Sequence, residues 1–238
     1  MSSLNTLRLP DGTQLSISEW LHYPQFSTIE IAQGDGINLA AFSYVQSQPV
    51  ASTVTVAQRN ANPADTNIVR RKAMNQDEAL VVYSIVHEPI GLTTVTNPNS
   101  LQQVLAGAPM MFGTDLRILQ RDCTVELVVG AGIKKPQASG PYAYFPQSVG
   151  APAYQSGDPG AAANLFTNYG TAGQITPRNQ RMLNIPVFIG GTGENAKPGN
   201  SRFFQLKFKA PGGPPAGLTV GGQYRIRWYL DGLKKRPA

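Results

Sequence analysis

Apolar and polar residues alternate with a period of two in three stretches of the last sixty residues, as is typical of β-strands with one buried face. The apolar positions are Leu183, Ile185, Val187 and Ile189 in the first stretch, Phe204, Leu206 and Phe208 in the second, and Tyr224, Ile226, Trp228 and Leu230 in the third. In the last two stretches, Lys or Arg occupies many of the intervening positions. We therefore expect three strands whose alternate side chains enter a common core.

Further segments rich in Val, Ile, Thr and aromatic residues lie between turn residues, and these also predict strands. The segments are residues 14–19, 26–32, 38–45, 52–57, 79–87, 115–120 and 124–129. Residues 79–87 are apolar on both faces, which favours a central strand. Gly34-Asp35-Gly36 predicts a hairpin turn between the second and third segments.

One short helix is predicted at residues 98–106, because Asn97 can cap it, Pro98 suits its first position and Gly107 can end it. About ten short strands with a single small helix predict an all-β fold, specifically a jelly-roll-like β-sandwich. We expect residues 1–238 to form one such domain, since β-sandwiches of this length are commonly single domains.

Residues 136–177 interrupt the strand pattern as a long predicted loop. Twelve of these 42 residues are Gly or Pro, yet the segment is rich in aromatic residues, which disordered linkers are not. The aromatic residues are Tyr142, Tyr144, Phe145, Tyr154, Phe166 and Tyr169. Two interpretations remain open: a loop that contacts a neighbouring subunit, or a loop that folds back onto its own sandwich.

Charged residues form only 14% of the chain, and they are unevenly distributed. Residues 1–120 contain six Lys/Arg and nine Asp/Glu, whereas residues 121–238 contain fourteen and five. If the last two strands pair, their outward cations form one basic face that suits nucleic acid or anionic lipid. The residues of this anionic-partner face are Lys207, Lys209, Arg225 and Arg227, with Phe203 and Tyr229 between them, and Lys234, Lys235 and Arg236 in a basic tail at 231–238. The group Arg70-Arg71-Lys72 adds charge, and the alternative is a solvated face or salt bridges to a neighbouring subunit.

The chemistry of enzymes is poorly represented. Cys123 is the single cysteine and is expected to be a small, half-buried apolar residue, while His22 and His87 are expected to be partly buried and bonded to backbone. Two distant histidines and one cysteine form no usual zinc site, and Gly190-Gly191-Thr192-Gly193 matches no phosphate-binding pattern. We expect no catalytic residues, no metal and no cofactor.

One enzyme hypothesis survives, in which two carboxylates on different strands cleave a glycosidic bond. The strand-borne candidates are Glu30, Glu78, Glu88, Glu126 and Asp115. The N-terminal residues resemble no secretory signal and no apolar stretch is long enough to span a membrane, so we expect synthesis in a cytosol.

The order of these features resembles the jelly-roll shell proteins of small icosahedral viruses, particularly tailless bacterial ones. The resemblance covers most of the chain: many short strands, a helix at residues 98–106, a Gly/Pro/aromatic excursion and a basic C-terminal end. It implies a capsid subunit or capsid-associated coat protein, located in the virion, that binds copies of itself and other virion proteins. It also implies a basic face towards the genome or a membrane. The alternatives are a carbohydrate- or host-binding sandwich and the two-carboxylate hydrolase.

Overall fold

The structure, a computed structural model, describes residues 6–8, 14–16, 20–32, 34–53, 59–75, 78–89, 116–130, 135–145, 151–155, 168–172, 183–190, 202–218 and 223–235. The fold of these residues is all-β. Its strands are β1 (Thr6–Arg8), β2 (Gln14–Ser16), β3 (Trp20–His22), β4 (Gln25–Ala32), β5 (Asn38–Ala41), β6 (Ala51–Ser52), β7 (Ala79–Pro89), β8 (Thr124–Val129), β9 (Lys135–Pro141), β10 (Ala151–Gln155), β11 (Asn168–Ala172), β12 (Val187–Gly190), β13 (Phe204–Lys209) and β14 (Gln223–Lys235). Residues 116–122 form an α-helix, α1, and Tyr142–Tyr144 form one turn of 3-10 helix.

Two sheets form the body of the described fold. The first sheet has the strand order β12-β7-β14-β4-β6, and β3 also pairs with β14. The second sheet has the order β5-β13-β8-β9. Two further antiparallel pairs, β1 with β2 and β10 with β11, form separate two-stranded sheets. The predicted central strand at residues 79–87 is confirmed, because β7 lies between β12 and β14.

A single large hydrophobic cluster joins the two sheets. From the first sheet it receives the inward residues of β4 and β14, such as Ile29, Ile226 and Trp228. From the second sheet it receives alternate residues of β8 and β13, such as Leu127 and Phe208. The alternation seen in the sequence therefore correctly predicts which side of β8, β13 and β14 is buried, because every second side chain points to the same face of a strand.

Eight of these strands pair in a nested order. Outermost, β4 pairs with β14; inside that pair, β5 pairs with β13, then β7 with β12, and innermost β8 with β9. All four pairs are antiparallel. Two further antiparallel pairings, β7 with β14 and β8 with β13, join them into the two sheets.

The predicted hairpin at Gly34-Asp35-Gly36 is wrong. Gly34 does adopt the left-handed φ of 87° that favours glycine in a turn. However, β4 belongs to the first sheet and β5 to the second. The inward residues of both strands belong to the same core, so the turn carries the chain from one sheet to the other instead of joining hydrogen-bonded partners.

The predicted strand at residues 115–120 is also wrong, because residues 116–122 are helical. Leu116, Leu119 and Cys123 are buried, and this spacing of three and four residues is the period of a helix face. The Cys123 N–H donates to the Leu119 carbonyl at 2.9 Å. A segment this short is too short for its sequence pattern to distinguish the two-residue period of a strand from the 3.6-residue period of a helix.

The predicted basic tail at residues 231–238 is replaced by strand as far as Lys235. There, β14 pairs with β7 on one side and with β3 on the other. The register shifts between Asp231 and Gly232, where β7 contains one extra residue, Tyr83. This bulge resets the alternation of β7, so that Ile85 and Val82 both enter the main core.

The outer edge of β4 is covered by the residues that follow β5. Strand β6 lies parallel to it, the Thr28 N–H donates to the Asp65 carbonyl at 2.9 Å, and the Phe26 N–H donates to Asn67 Oδ1 at 2.8 Å. Covering an edge in this way prevents its unpaired backbone groups from recruiting another chain. Edge-to-edge association through β4 is therefore unfavourable.

Other sequence predictions agree in type and differ in length. The strands predicted at residues 14–19, 38–45 and 52–57 are shorter within the described residues, and the one at 26–32 is confirmed as β4. The predicted helix at residues 98–106 lies outside the described residues. Within the described ranges, no helix is long and apolar enough to cross a membrane.

Candidate functional site

The predicted single basic face is wrong, because its two strands do not pair. Lys207 and Lys209 lie on β13 in the second sheet, whereas Arg225 and Arg227 lie on β14 in the first. The apolar residues of both strands enter the same core. The intervening cations therefore lie on the two opposite outer surfaces of the protein, and the four charges cannot act as one patch.

On the outer surface of the first sheet, Arg225 belongs to an ion-pair network. Its Nε lies 2.6 Å from Glu30 Oε1, and the same carboxylate oxygen accepts from Arg59 Nε at 2.6 Å. Arg59 also donates from both terminal nitrogens to the carboxylate of Asp65 at 2.6 Å each. The network therefore fixes Arg59 and Asp65, which belong to the segment that covers the edge of β4, to strands β4 and β14.

Arg227 takes part in a second cluster on the same surface. Its Nη1 lies 3.0 Å from Glu88 Oε2, which also accepts from the Tyr229 hydroxyl at 2.6 Å. The guanidinium carbon of Arg227 lies 5.7 Å from the centre of the Phe26 ring. This cation is thus neutralised and covered by its own sheet, which leaves little of its charge for a partner.

The remaining predicted cations differ in their partners. Lys209 pairs with Glu126 and Lys234 with Glu78, each at 2.8 Å. Lys235 is the last residue of β14, and Arg236 lies outside the described residues. Among the described residues, no ion pair involves Lys207.

The acids of the hydrolase hypothesis are the partners of these same cations. Glu30, Glu78, Glu88 and Glu126 each bind an Arg or Lys, in four separate ion pairs. For Glu78, burial is the largest single influence and would raise the pKa, but the ion pair with Lys234 and the hydrogen bonds from Asn75 together outweigh it, so the pKa is lowered. Asp115 lies outside the described residues. The arrangement places these carboxylates in separate ion pairs with cations of the same chain.

Asp65 offers a test of the network. Burial would raise its pKa, but the bonds from Arg59 and from the Asn62 N–H outweigh it, so the pKa is lowered. We expect Asp65→Asn to lower the free energy of unfolding by about 1–3 kcal/mol at pH 7, the usual cost of an unsatisfied buried group. Urea denaturation measures this loss, which should shrink below pH 3.8 as the wild-type carboxylate is protonated. The matched control is Asp122→Asn, whose exposed pair with Arg121 should contribute nothing measurable; equal losses in the two variants would contradict the role of the network.

A different group of cations lies together at one end of the second sheet, and we call it the basic edge. It comprises Arg70, Arg71, Lys72 and Arg202. Isolated bridges join Arg70 to Ala73 and Ala73 to Phe203, which places the 70–72 turn directly beside the start of β13. No ion pair to an acid is found for any of the four among the described residues.

Backbone hydrogen bonds hold the basic edge in place. The Lys72 N–H donates to the Phe42 carbonyl at 2.9 Å, and the Lys72 carbonyl accepts from the Phe204 N–H at 2.8 Å. The Met74 N–H donates to the Arg202 carbonyl at 2.9 Å, and Arg71 Nε donates to the Ser43 carbonyl at 2.8 Å. Lys72 adopts a left-handed φ of 55°, which turns the chain sharply at this point. The cations are therefore presented on a fixed turn.

Two apolar side chains accompany these cations at the surface. Val69 is 69% exposed and Phe203 is 37% exposed. The guanidinium of Arg202 lies over the Phe203 ring, 5.2 Å from its centre. The sequence shows the run Arg70-Arg71-Lys72, but nothing in it indicates that Arg202 and Phe203 lie beside that run.

The predicted subunit-contact loop is corrected at two positions. Tyr142 is fully buried and Phe145 nearly so, and both belong to the main core. Residues 135–141, of which 136–141 are predicted as loop, form β9 at the edge of the second sheet. These two aromatic residues therefore pack on their own sheets, which was the other interpretation left open by the sequence, and they cannot contact a neighbouring subunit.

Tyr142 and Phe145 are held in the core by His87. The His87 Nε2–H donates to the Phe145 carbonyl at 3.1 Å, so Nδ1 accepts from the Tyr142 hydroxyl at 3.0 Å. The ring also packs on Trp228, with ring centres 5.2 Å apart. Burial lowers the pKa of His87 to about 3, so the ring is neutral at neutral pH. The expected structural role of His87 is confirmed.

The other aromatic residues of the 136–177 segment have different positions. Tyr144 is 43% exposed and packs edge-to-face on Phe145. Tyr154 and Tyr169 are paired in the register of β10 and β11. Phe166 lies outside the described residues. A contact role for Tyr144, Tyr154 and Tyr169 stays a prediction.

Two smaller expectations have opposite outcomes. Cys123 is buried, and burial raises its thiol pKa to about 12, so it is an unreactive apolar residue as expected. The expectation that His22 is partly buried and bonded to backbone is wrong, because its Nε2 lies 2.6 Å from Asp231 Oδ1 on the surface. Among the described residues, no group of three or more His, Cys, Asp or Glu is placed to hold a metal ion.

The described residues define an all-β protein of two packed sheets. Within the described part of the chain, most surface carboxylates are paired with cations of the same chain, and no such pairing is found for the cations of the basic edge. Comparison with protein-family models, with curated proteins and with solved structures found no match to this chain. Function must therefore be inferred from the surfaces themselves.

Proposed function

We propose that the eight nested strands form a jelly roll. In that fold a long antiparallel ribbon is wrapped so that its paired strands fall alternately into two facing sheets. The observed pairs, β4 with β14, β5 with β13, β7 with β12 and β8 with β9, are the pairs of such a ribbon. Its outer and third pairs lie in the first sheet, and the other two lie in the second, as this wrapping requires.

The function that we propose for this fold is that of a virion structural protein, a capsid subunit or associated coat protein that assembles by subunit contacts. A fold alone does not specify a function, so the proposal depends on surface chemistry. The observation that carries it is the separation of charge. Among the residues that the structure describes, the carboxylates of both sheets are paired with cations of the same chain, whereas the four cations of the basic edge have no acidic partner there.

Exposed apolar side chains support subunit contacts. Ile185 and Val69 are 79% and 69% exposed, and Leu21 and Tyr23 are about two-fifths exposed. Leu21 and Tyr23 flank the outer end of the first sheet, where Trp20, Val81 and Leu233 form a second hydrophobic cluster. Interfaces between subunits are richer in such aromatic and aliphatic residues than the rest of a protein surface.

Light scattering and electron microscopy of the purified protein test this function. We expect multi-angle light scattering to give a mass many times the 25.6 kDa of one chain, and negative-stain images to show regular particles. Salt and protein concentration should change the assembled fraction, because the contacts are non-covalent. A monomer under all conditions would contradict the proposal, and binding of that monomer to a glycan array would favour the carbohydrate-binding alternative.

A further inference from the structure

We propose that the basic edge binds single-stranded nucleic acid, with its arginines on phosphates and Phe203 against an unpaired base. This inference names the partner of the surface on which the proposed function depends. It concerns Arg70, Arg71, Lys72 and Arg202 instead of the cations on the outer faces of β13 and β14. Charge complementarity is the first argument, since none of the four has an acidic partner among the described residues.

The kind of cation indicates phosphate. Three of the four are arginines, whose planar guanidinium can make two parallel hydrogen bonds to a phosphate and stack on a base. Arg70 and Arg71 are exposed. Because the turn that carries them is fixed by backbone bonds to Phe42, Phe204 and Arg202, little conformational entropy is lost when a ligand binds.

The neighbouring aromatic ring indicates bases that are not paired. Phe203 lies at the surface with Arg202 over its ring, and a mixed arginine and aromatic surface is the usual platform for stacked single-stranded bases. A duplex keeps its base faces stacked on each other and could use only the cations. Lys207 lies on the same side of the strand four residues after Phe203, or about 13 Å away at 3.3 Å per residue, with the buried Gln205 between them.

A lipid surface fits these residues less well. Peripheral membrane binding usually requires a broad apolar face that enters the acyl region, as on an amphipathic helix. Here the exposed apolar residues beside the cations are Val69 and Phe203, on a rigid turn and a strand end. The cations would still be attracted to anionic headgroups, so vesicles are needed as a competing probe.

Fluorescence anisotropy with labelled oligothymidylate, over a range of salt concentrations, tests the inference. We expect Arg70→Glu with Arg71→Glu to weaken binding at low salt by about tenfold or more, and to reduce the slope of log affinity against log salt by about 1.4, for two lost phosphate contacts. The matched control is Arg117→Glu with Arg121→Glu on α1, which makes the same change in net charge at exposed positions elsewhere. It should leave the salt slope unchanged.

Phe203→Ala separates stacking from charge. We expect it to weaken oligothymidylate binding by about fivefold or more, the effect of one lost stacked base, with no change in salt slope. It should not weaken the lower affinity for a duplex of equal length. Circular dichroism and thermal unfolding show whether each variant is folded, and Arg70→Gln with Arg71→Gln replaces the charge reversal if that variant is not.

Three outcomes would overturn the inference: wild-type affinity in the 70/71 variant, equal losses in the α1 control, or binding to phosphatidylserine vesicles but not to oligothymidylate. Particle formation is measured on the same preparations without nucleic acid, and it tests the proposed function independently of binding. Particles without nucleic-acid binding would contradict this inference and leave the proposed function standing. Nucleic-acid binding by a protein that never assembles would support this inference and contradict the proposed function.

Discussion

Gly232→Val is expected to lower the free energy of unfolding by about 3 kcal/mol or more, a loss typical of substitutions that force atoms into a filled space. Gly232 lies at the bulge between β14 and β7. A Cβ at this position would overlap the carbonyl oxygen of Val81, and would lie 2.8 Å from its carbonyl carbon and 3.1 Å from the Val82 Cα. These are backbone atoms of the neighbouring strand, so no side-chain rotation can relieve the overlap.

The measurement is urea denaturation followed by the fluorescence of Trp20 and Trp228. Gly36→Ala is the control, because a Cβ at Gly36 meets no atom within 4 Å and its φ is not in the left-handed region. We expect the control to change stability by less than about 0.5 kcal/mol. If Gly232→Val were as stable as the control, β14 could not approach β7 in the described register.

The second large effect is a loss of stability in acid through His87. Its pKa in the folded protein is lowered to about 3 from an ordinary 6.5, because burial disfavours the charged ring. As pH falls below 6.5, His87 binds a proton in the unfolded chain but stays neutral in the folded protein. Stability should therefore fall by about 1.4 kcal/mol per pH unit from this group, or about 2 kcal/mol between pH 6.5 and pH 5, continuing to about pH 3.

The variant that isolates this effect is His87→Gln, whose amide can still donate and accept but does not titrate. Other groups, Asp65 among them, titrate equally in both proteins, so the difference in slope between wild type and variant belongs to His87. We expect the variant to be less stable at pH 7 and less sensitive to pH between 6.5 and 5. Parallel pH profiles would show that His87 does not have the buried, neutral environment described.

The sequence was most informative about which residues face inward and least informative about what they face. Alternation in β8, β13 and β14 arises from the two faces of a strand, so it predicts burial wherever one face meets a core. It does not identify the opposing strand. The outward cations of β13 and β14 looked like one surface because the strands are neighbours in sequence, whereas the core of the protein separates them.

Local propensity failed where tertiary contacts decide the structure. Residues 135–141, with two prolines and a glycine, have little tendency to form a strand, yet β9 pairs with β8 along its length. Only part of the basic edge could be predicted from the sequence, because its assembly also depends on tertiary contacts. The run Arg70-Arg71-Lys72 is plain in the sequence, but its approach to Arg202 depends on bridges between segments more than a hundred residues apart.

The nested pairing has a consequence for how the protein is made. Glu30 on β4 and Arg225 on β14 are 195 residues apart in sequence and form one ion pair. During translation, β4 and β7 must wait for the strand that lies between them, since β14 leaves the ribosome last of the three. Until then their unpaired edges are exposed to other nascent chains, so folding should be slow and its yield should depend on chaperones and on the rate of synthesis.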